Sequence, residues 1–240
     1  MIQRFKAVYR QQGFFPGLLG IFVNPFYFAR AGLRDAMVEF APKLSGDLLD
    51  VGCGTKPYRL LFTVDSYVGL DIDNEFTRNT GIADHLYNGN IFPFTDALFD
   101  AALCNQVLEH VFNPDEFLGE IARVLKPGAK LLLTVPFVWD EHEQPYDYAR
   151  YSSFGLFALL EKQGFKILHH KKLCADACII FQLANAYLFK VMLGWPARVK
   201  LLMTFSLMAF INVLGLLARR LLPSNPDLFL DHVVLAEKVS

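Results

Sequence analysis

Short apolar runs alternate with segments of helical periodicity along the first 170 residues. The runs typical of buried strands lie at 47–51, 67–71, 99–104, 129–135 and 165–168, and a last one lies at 233–236. Helical spacing of apolar positions is found at 114–125 and 152–163. Because strands separated by helices are typical of parallel sheets, the pattern predicts an α/β, doubly wound protein with ligands at the carboxyl ends of its strands.

Local end signals support the predicted helices. Pro114 suits a first helical turn, and the Lys126-Pro127-Gly128 turn should stop the same helix. Ser152 is a suitable N-cap for the next helix. Asp73 and Asn74 are expected to cap a helix rather than to contact a ligand, because short polar side chains bind free amides at helix starts.

A long apolar segment separates the last strand from the others. Residues 175–228 are mainly apolar and helical in character, with Pro196 and Pro223 as breakers. The sequence therefore predicts four parts. They are a basic and apolar helical segment at 1–46, a sheet domain at 47–174, a helical insertion at 175–228 and the completing strand at 229–240.

Composition and charge narrow the setting. The four cysteines form no C-x-x-C pair and have no histidine at zinc-ligand spacing, so we expect a reduced, cytoplasmic protein without a metal site. No signal peptide is expected, because Pro16, Asn24 and Pro25 interrupt the apolar N-terminal stretch. Residues 1–34 and 177–226 contain basic but no acidic side chains, which leaves the rest acidic.

The chemistry-bearing pattern begins at Asp50-Val51-Gly52-Cys53-Gly54, directly after the first strand. Glycines at such a turn let the backbone approach a ligand, and Asp71 at the end of the next strand can accept hydrogen bonds from both ribose hydroxyls. This arrangement predicts a nucleoside site. A dinucleotide fingerprint would need glycine at position 57, where the chain has proline, so the NAD-dependent oxidoreductase alternative is weakened.

Five motifs in order resemble those of the class I, Rossmann-like methyltransferases that use S-adenosylmethionine (SAM), and specifically the type 11 small-molecule group. The resemblance covers about residues 24–173. It is carried by residues 48–58, by Val68-Gly69-Leu70-Asp71-Ile72, by Phe92-Pro93-Phe94 before Phe99-Asp100, by Val107-Leu108-Glu109-His110-Val111, and by Arg123-Val124-Leu125-Lys126-Pro127-Gly128. It implies a seven-stranded, mostly parallel sheet with helices on both faces, and SAM converted to S-adenosylhomocysteine; the apolar pattern of 175–228 adds the helical insertion before the last strand.

The resemblance also implies roles for individual residues. Asp50, Gly52 and Gly54 would line the methionine end of SAM, and Asp71 would bind the ribose. Asn88 stands where the family usually has an acid that meets the adenine amino group, and Lys56 stands where many members have a third glycine. Asn105 and Gln106 would face the methionine moiety and the methyl group. The predicted cofactor set is completed by Cys53, Ile72 and Gly89.

The segment 136–151, after the fifth strand, lies where this fold builds its acceptor site. His142 is the best candidate for a general base because histidine titrates near neutrality, and Tyr146 and Asp147 would orient it. A solvated loop is the structural alternative. Glu109 and His110 belong to a motif shared across the family, and helix packing or capping explains them as well as catalysis does.

The leading functional hypothesis is methyl transfer to a small-molecule or lipid-linked acceptor, and a non-catalytic SAM-binding protein is the alternative outside enzymes. Nucleic acid is not expected as a partner, because no recognition fold accompanies the basic regions. We expect the basic ends and the insertion to bind an anionic membrane surface from the cytoplasmic side, as a peripheral protein. A helical lid or a homodimer interface is the competing interpretation of the insertion.

Overall fold

The computed structural model describes residues 11–239 of the 240-residue chain, and contacts divide them into two compact units. One unit comprises 11–36, 138–140 and 172–231, and the other comprises 37–137, 141–171 and 232–239. The contacts therefore group residues 37–46 with the sheet, whereas the sequence pattern suggested a boundary at residue 46. The four-part division predicted above is a division of the sequence, and these units are a division by packing.

The strands form one seven-stranded sheet. Their bounds are β1 Asp47–Val51, β2 Ser66–Ile72, β3 His85–Tyr87, β4 Phe99–Asn105, β5 Leu125–Pro136, β6 Phe165–Leu173 and β7 Asp231–Lys238. The order across the sheet is β3-β2-β1-β4-β5-β7-β6, and the four neighbouring pairs from β3 to β5 are parallel. The expected Rossmann-like, mostly parallel fold is confirmed, with an apolar helix before the last strand.

Seven α-helices begin and end within the described residues. Their bounds are α1 Gly20–Val23, α2 Tyr27–Phe40, α3 Glu75–Thr80, α4 Pro114–Val124, α5 Ser153–Lys162, α6 Cys178–Val191 and α7 Ala197–Leu221, the last with a π-turn at Thr204–Met208. Two predicted caps are confirmed: Asn74 accepts a bond from the Thr77 amide at 2.9 Å, and Ser152 accepts one from the Gly155 amide at 3.2 Å. Helix α4 ends at Val124, immediately before β5 begins.

The core of the sheet-containing unit consists of strand side chains and the apolar faces of α4 and α5. Leu118 and Ile121 of α4, together with Leu156 and Leu160 of α5, are fully buried against this cluster. Burying such a side chain stabilises a fold by about 1.5–3 kcal/mol. The packed helices hold the parallel strands in register, so their carboxyl ends form one rigid edge.

In the other unit, three amide side chains are buried among apolar helices. Gln182 accepts bonds from the Phe28 and Ala29 amides at 3.0 and 3.2 Å, and so binds free donors at the start of α2. Asn185 on α6 donates to Asn212 Oδ1 on α7 at 2.9 Å. Asn212 in turn donates to the carbonyl oxygens of Ile21 and Asn24 at 2.8 and 3.1 Å. These bonds fix which face of α7 points inward.

Among the described residues, α7 is one helix whose length and apolar composition would allow it to cross a membrane. Its most apolar 18-residue window is 22% buried. By themselves these properties are weak evidence for a membrane role, because core helices of soluble proteins share them.

Candidate functional site

The glycine loop after β1 is closely packed against the neighbouring strand. The amides of Gly52 and Cys53 both donate to the carbonyl oxygen of Leu70 in β2, at 2.8 and 3.1 Å. Gly52 has a φ of +69°, and a Cβ at this position would lie 2.4 Å from Cγ2 of Val107. A side chain at residue 52 is therefore excluded both by backbone conformation and by space.

Asp71 connects the glycine loop to the end of β2. One carboxylate oxygen accepts a bond from the Gly54 amide at 2.8 Å, and the other accepts from the Ile72 amide at the same distance. The carboxylate is partly exposed. Both oxygens thus hold backbone amides while the group faces the ligand edge, where it could also bind hydroxyl groups.

Asp50 is almost fully buried, with 4% of its surface exposed, beneath the loop. Its Oδ2 accepts a bond from the Tyr67 hydroxyl at 2.6 Å. Desolvation raises the pKa of Asp50 to about 7, although the Tyr67 hydrogen bond and Lys56 act in the opposite direction. Desolvation, together with Asp50 and Asp71, also raises the pKa of the Cys53 thiol to about 12. The thiol therefore stays protonated at neutral pH.

Lys56 occupies the position where many family members have glycine, and the structure gives it a role. Its Nζ lies 2.6 Å from Oδ2 of Asp84, which also accepts a bond from the Gly69 amide at 2.7 Å. A Cβ on residue 69 would lie 2.3 Å from Cε of Lys56. Lys56 therefore connects the glycine loop to β2 through Asp84. Its side chain passes over residue 69, where only glycine leaves enough space.

The predicted adenine side lies at the end of β3. Asn88 follows that strand directly, is exposed, and accepts a bond from the Asn90 amide at 3.2 Å through Oδ1. A Cβ on Gly89 would lie 3.7 Å from Cδ1 of Ile72, so these two predicted residues are neighbours. Ile72 is 45% exposed and offers an apolar surface at the edge.

At the end of β4, a buried hydroxyl fixes two polar side chains. Thr134 Oγ1 donates to Asn105 Oδ1 at 2.8 Å and lies 3.3 Å from Nε2 of Gln106. The Gln106 amide donates to the carbonyl oxygen of Thr134 at 3.0 Å, and Gln106 has a φ of +57°. Thr134 of β5 therefore fixes the positions of Asn105 and Gln106, the two residues predicted to face the methionine part of SAM.

In the loop after β5, His142 is held by Asp147. The Asp147 carboxylate accepts a bond from the His142 amide at 2.9 Å and lies 3.3 Å from Nδ1 of its ring. Burial would raise the pKa of Asp147, but the hydrogen bonds from Arg150 and from the His142 amide lower it to about 2. The carboxylate is therefore ionised at neutral pH, and Arg150 shares it with His142: Nη2 of Arg150 lies 2.7 Å from Oδ2 of Asp147 and 3.4 Å from Nδ1 of His142.

The turn Leu108–His110 brings two further residues to His142, Glu109 and His110, for which the sequence left packing or capping and catalysis both open. The rings of His110 and His142 meet edge to face with centroids 4.9 Å apart. Glu109 is fully buried, and its carbonyl oxygen accepts bonds from the amides of Tyr148 and Ala149 at 2.8 and 3.2 Å. The available signal was position: both residues follow the carboxyl end of β4 by a few residues, where ligands bind in such sheets.

Tyr146 differs from its predicted role as a partner of His142. Its carbonyl oxygen lies 2.8 Å from Nδ1 of His110, while its side chain is 62% exposed. Asp147 therefore contacts His142 as expected, and Tyr146 orients the other histidine through its backbone. The backbone role could not be read from the identity of the side chain.

Comparison with known proteins identifies the class of this site. Residues 49–133 match the family model described as methyltransferase domain. The chain is 31% identical over 145 residues to the O-methyltransferase rstn1 of Aspergillus nomiae, a match that covers 50% of this chain and 64% of the relative. It is 27% identical over 213 residues to the O-methyltransferase cnsE of Penicillium expansum, covering 76% of this chain and 74% of the relative. The chain thus spans a little under two thirds of rstn1 and about three quarters of cnsE.

A solved structure shares the fold along most of the chain. This is phosphoethanolamine N-methyltransferase 2 of Haemonchus contortus in complex with phosphomonomethylethanolamine and S-adenosylhomocysteine. For this structure the TM-score is 0.57 at 17% sequence identity, and the match covers 98% of this chain and 57% of the other. Other solved structures match with TM-scores of 0.54 and 0.55. The motifs, the strand order and these matches agree that residues 49–133 are a methyltransferase domain of the class I, Rossmann-like, SAM-dependent kind.

Proposed function

We propose that this chain transfers the methyl group of SAM to a hydroxyl oxygen of a small acceptor, with His142 as the proton acceptor. The observation that carries the proposal is the contact between the rings of His110 and His142, because it connects the loop after β5 to the turn after β4. The ionised Asp147 carboxylate beside His142 supports the same role. The relatives named O-methyltransferase agree with an oxygen acceptor.

The proposed reaction asks the protein for position more than for chemical activation. The acceptor oxygen attacks the methyl carbon, the bond from carbon to the SAM sulfur breaks, and the acceptor proton passes to His142. S-adenosylhomocysteine, methylated acceptor and protonated His142 result, and the histidine then returns the proton to water. Alignment of the reactants can lower the barrier by about 7–11 kcal/mol, and a base contributes about 10²–10⁴-fold.

The proposed chemistry is tested by incubating the protein with methyl-labelled SAM and with water-soluble and lipid extracts in turn. We expect label in one extract class together with equimolar S-adenosylhomocysteine. His142→Ala should reduce turnover by at least about tenfold while the affinity for SAM changes less than about twofold, because the loop lies on the acceptor side. His169→Gln is the matched control, since His169 is exposed on β6.

Label transfer that is unchanged in His142→Ala would remove the proton-acceptor role. A protein that binds SAM but labels neither extract would favour the non-catalytic alternative. Tight binding of NADH with no heat from SAM would contradict the cofactor assignment itself.

We further propose that the acceptor is lipid-linked and that the unit containing α6 and α7 binds the surface of an anionic membrane. Support comes from an apolar surface on α7, where Leu202 is 66% and Phe210 58% exposed while Asn212 points inward with 1% exposed. Other large apolar side chains of this unit are also exposed: Leu18, Phe22, Ile180, Tyr187, Leu193, Trp195, Leu201, Leu217 and Leu221. Such a surface suits the boundary between head groups and acyl chains.

Charge favours a membrane occupant of this surface over a second protein chain. Ion pairs engage two of the basic residues of the insertion, Lys190 with Asp140 at 3.6 Å and Arg219 with Asp176 at 3.0 Å. Arg198 and Arg220 are exposed near the two ends of α7. Each basic residue near an anionic surface contributes about 1 kcal/mol to binding. The basic residues predicted at 4, 6 and 10 lie outside the described part of the chain.

A lone membrane-spanning α7 is the less favourable arrangement. Asn212 lies in the middle of the helix. Its side-chain oxygen accepts a hydrogen bond from Asn185 of α6, and its side-chain nitrogen donates to the carbonyl oxygens of Ile21 and Asn24. Breaking these bonds to insert α7 alone into hydrocarbon would leave polar groups without partners, at several kcal/mol each. Binding in the interface keeps every one of these hydrogen bonds.

Flotation with vesicles of anionic and of zwitterionic lipid tests the membrane proposal. We expect salt-sensitive binding to anionic vesicles, weakened by a double Arg198→Gln and Arg220→Gln variant, whereas the paired Arg219→Gln variant should bind more nearly like the wild type. Equal recovery in the soluble fraction with both lipids would contradict the proposal. Sedimentation of the free protein as a stable dimer that does not float would assign the apolar surface to a homodimer.

A further inference from the structure

Glu109, His110 and His142 form a cluster of which the proposed proton transfer uses only His142. One ligand atom from each residue, a carboxylate oxygen and two ring nitrogens, lies within 4.8 Å of the other two. One imidazole nitrogen per histidine and a carboxylate oxygen form a set that zinc and other divalent transition metals bind. The sequence predicted no metal site, because the three residues come from a turn and a loop that are distant along the chain.

The surroundings of the two rings are those of metal-binding histidines. Nδ1 of His110 lies 2.8 Å from the carbonyl oxygen of Tyr146, which can only accept a hydrogen bond. Nδ1 therefore donates to that carbonyl oxygen, and Nε2 is the nitrogen left to bind an ion; it lies 3.9 Å from Oε1 of Glu109 and 3.8 Å from Oε2 of Glu143. Asp147 next to the ring of His142 supplies the carboxylate that commonly orients such a ligand.

We propose that Glu109, His110 and His142 bind one divalent transition-metal ion, with Glu143 close enough to His110 to join as a fourth ligand. Ligands at about 2.1 Å from a tetrahedral ion lie about 3.4 Å from one another, so atoms that are up to 4.8 Å apart would have to approach by up to about 1.4 Å on binding. Glu143 is exposed and both histidines are partly exposed, so the approach would come from rotation of these side chains. Because Glu109 is fully buried, the attraction between its carboxylate and a bound ion would act in a low dielectric, where it is strong.

The ion and the proton would compete for the same nitrogen lone pairs. A bound ion would therefore prevent His142 from accepting the proton, and would instead lower the pKa of an acceptor hydroxyl bound to it, whose proton would pass to water. This consequence rests on the proposed function, whereas metal binding does not. The test below uses neither SAM nor an acceptor, so that the two proposals can fail separately.

The test is equilibrium dialysis of the full chain against Zn²⁺, together with the visible absorption spectrum after Co²⁺ addition. We expect one Zn²⁺ per chain with micromolar or tighter affinity, and Co²⁺ bands typical of a site with four or five ligands. His142→Ala should weaken Zn²⁺ binding at least about 100-fold and abolish the bands. Asp147→Asn should weaken binding about 10–100-fold through loss of ring orientation.

His169→Gln serves as the histidine control, and Mg²⁺ as the ion control because it prefers oxygen ligands. Binding of Zn²⁺ at less than one equivalent by the wild type, or equal affinity in His142→Ala, would overturn the proposal. Glu109→Gln is a secondary variant because the buried group also affects folding. His142 lies in a loop, and its replacement leaves the core intact.

Discussion

Replacement of Asp71 by alanine is the sharpest test of the cofactor site. The carboxylate of Asp71 accepts the Gly54 and Ile72 amides, each at 2.8 Å, and is expected to bind the ribose hydroxyls of SAM. Hydrogen bonds to a charged group contribute about 1.5–3 kcal/mol, which corresponds to a loss of about 10- to 150-fold in affinity. The Gly54 amide is exposed, so water can replace its lost bond and the free protein should lose only about 1 kcal/mol of stability.

Calorimetric titration with SAM and S-adenosylhomocysteine at constant pH measures the affinity loss, and urea unfolding measures stability. Asp73→Ala is the matched control, because Asp73 is two residues away and pairs with Arg78 on the protein surface. Asp71→Asn should fall between the wild type and alanine, since the amide keeps one accepting oxygen. A folded Asp71→Ala protein that binds SAM within twofold of the wild type would refute the ribose role.

Three further outcomes are expected. The pKa of Asp50 is raised to about 7, so the group is protonated below that pH. As the pH increases towards 7, the affinity for positively charged SAM should therefore increase by up to about tenfold per pH unit, and it should level off above pH 7. Asp50→Asn should lack this pH dependence, and identical pH profiles for the variant and the wild type would contradict the prediction. Asn88→Asp should bind SAM a few-fold more tightly by calorimetry, because a charged acceptor makes a stronger bond to the adenine amino group, and weaker binding would place the adenine elsewhere. Thr134→Val should lower the free energy of unfolding in urea by about 1–2 kcal/mol and weaken SAM binding, because Asn105 and Gln106 lose their common partner, and Thr134→Ser should restore stability and affinity. Unchanged stability and affinity in the valine variant would show that the hydroxyl does not position the two side chains.

The cofactor side of the molecule was determined largely by local sequence signals. A glycine turn after a buried strand and an acid ending the next strand act through neighbouring backbone, so Gly52, Gly54 and Asp71 were identified before their contact was seen. The caps at Asn74 and Ser152 followed from the same local chemistry. Strand β3 was missed, because three residues are too short for an alternating pattern to stand out.

The cluster around His142, on the proposed acceptor side, was decided only by the tertiary structure. The sequence gives no reason to bring Glu109 and His110 to His142, since their approach depends on the return of the loop after β5 to the turn after β4. Likewise, Asn212 looks like an interruption in an apolar helix, yet packing against α1 and α6 directs it inward and leaves the apolar residues exposed. Local patterns determine elements and their ends, whereas the packing of elements distant in sequence determines which side chains meet, and here it assembled the histidine cluster and oriented α7.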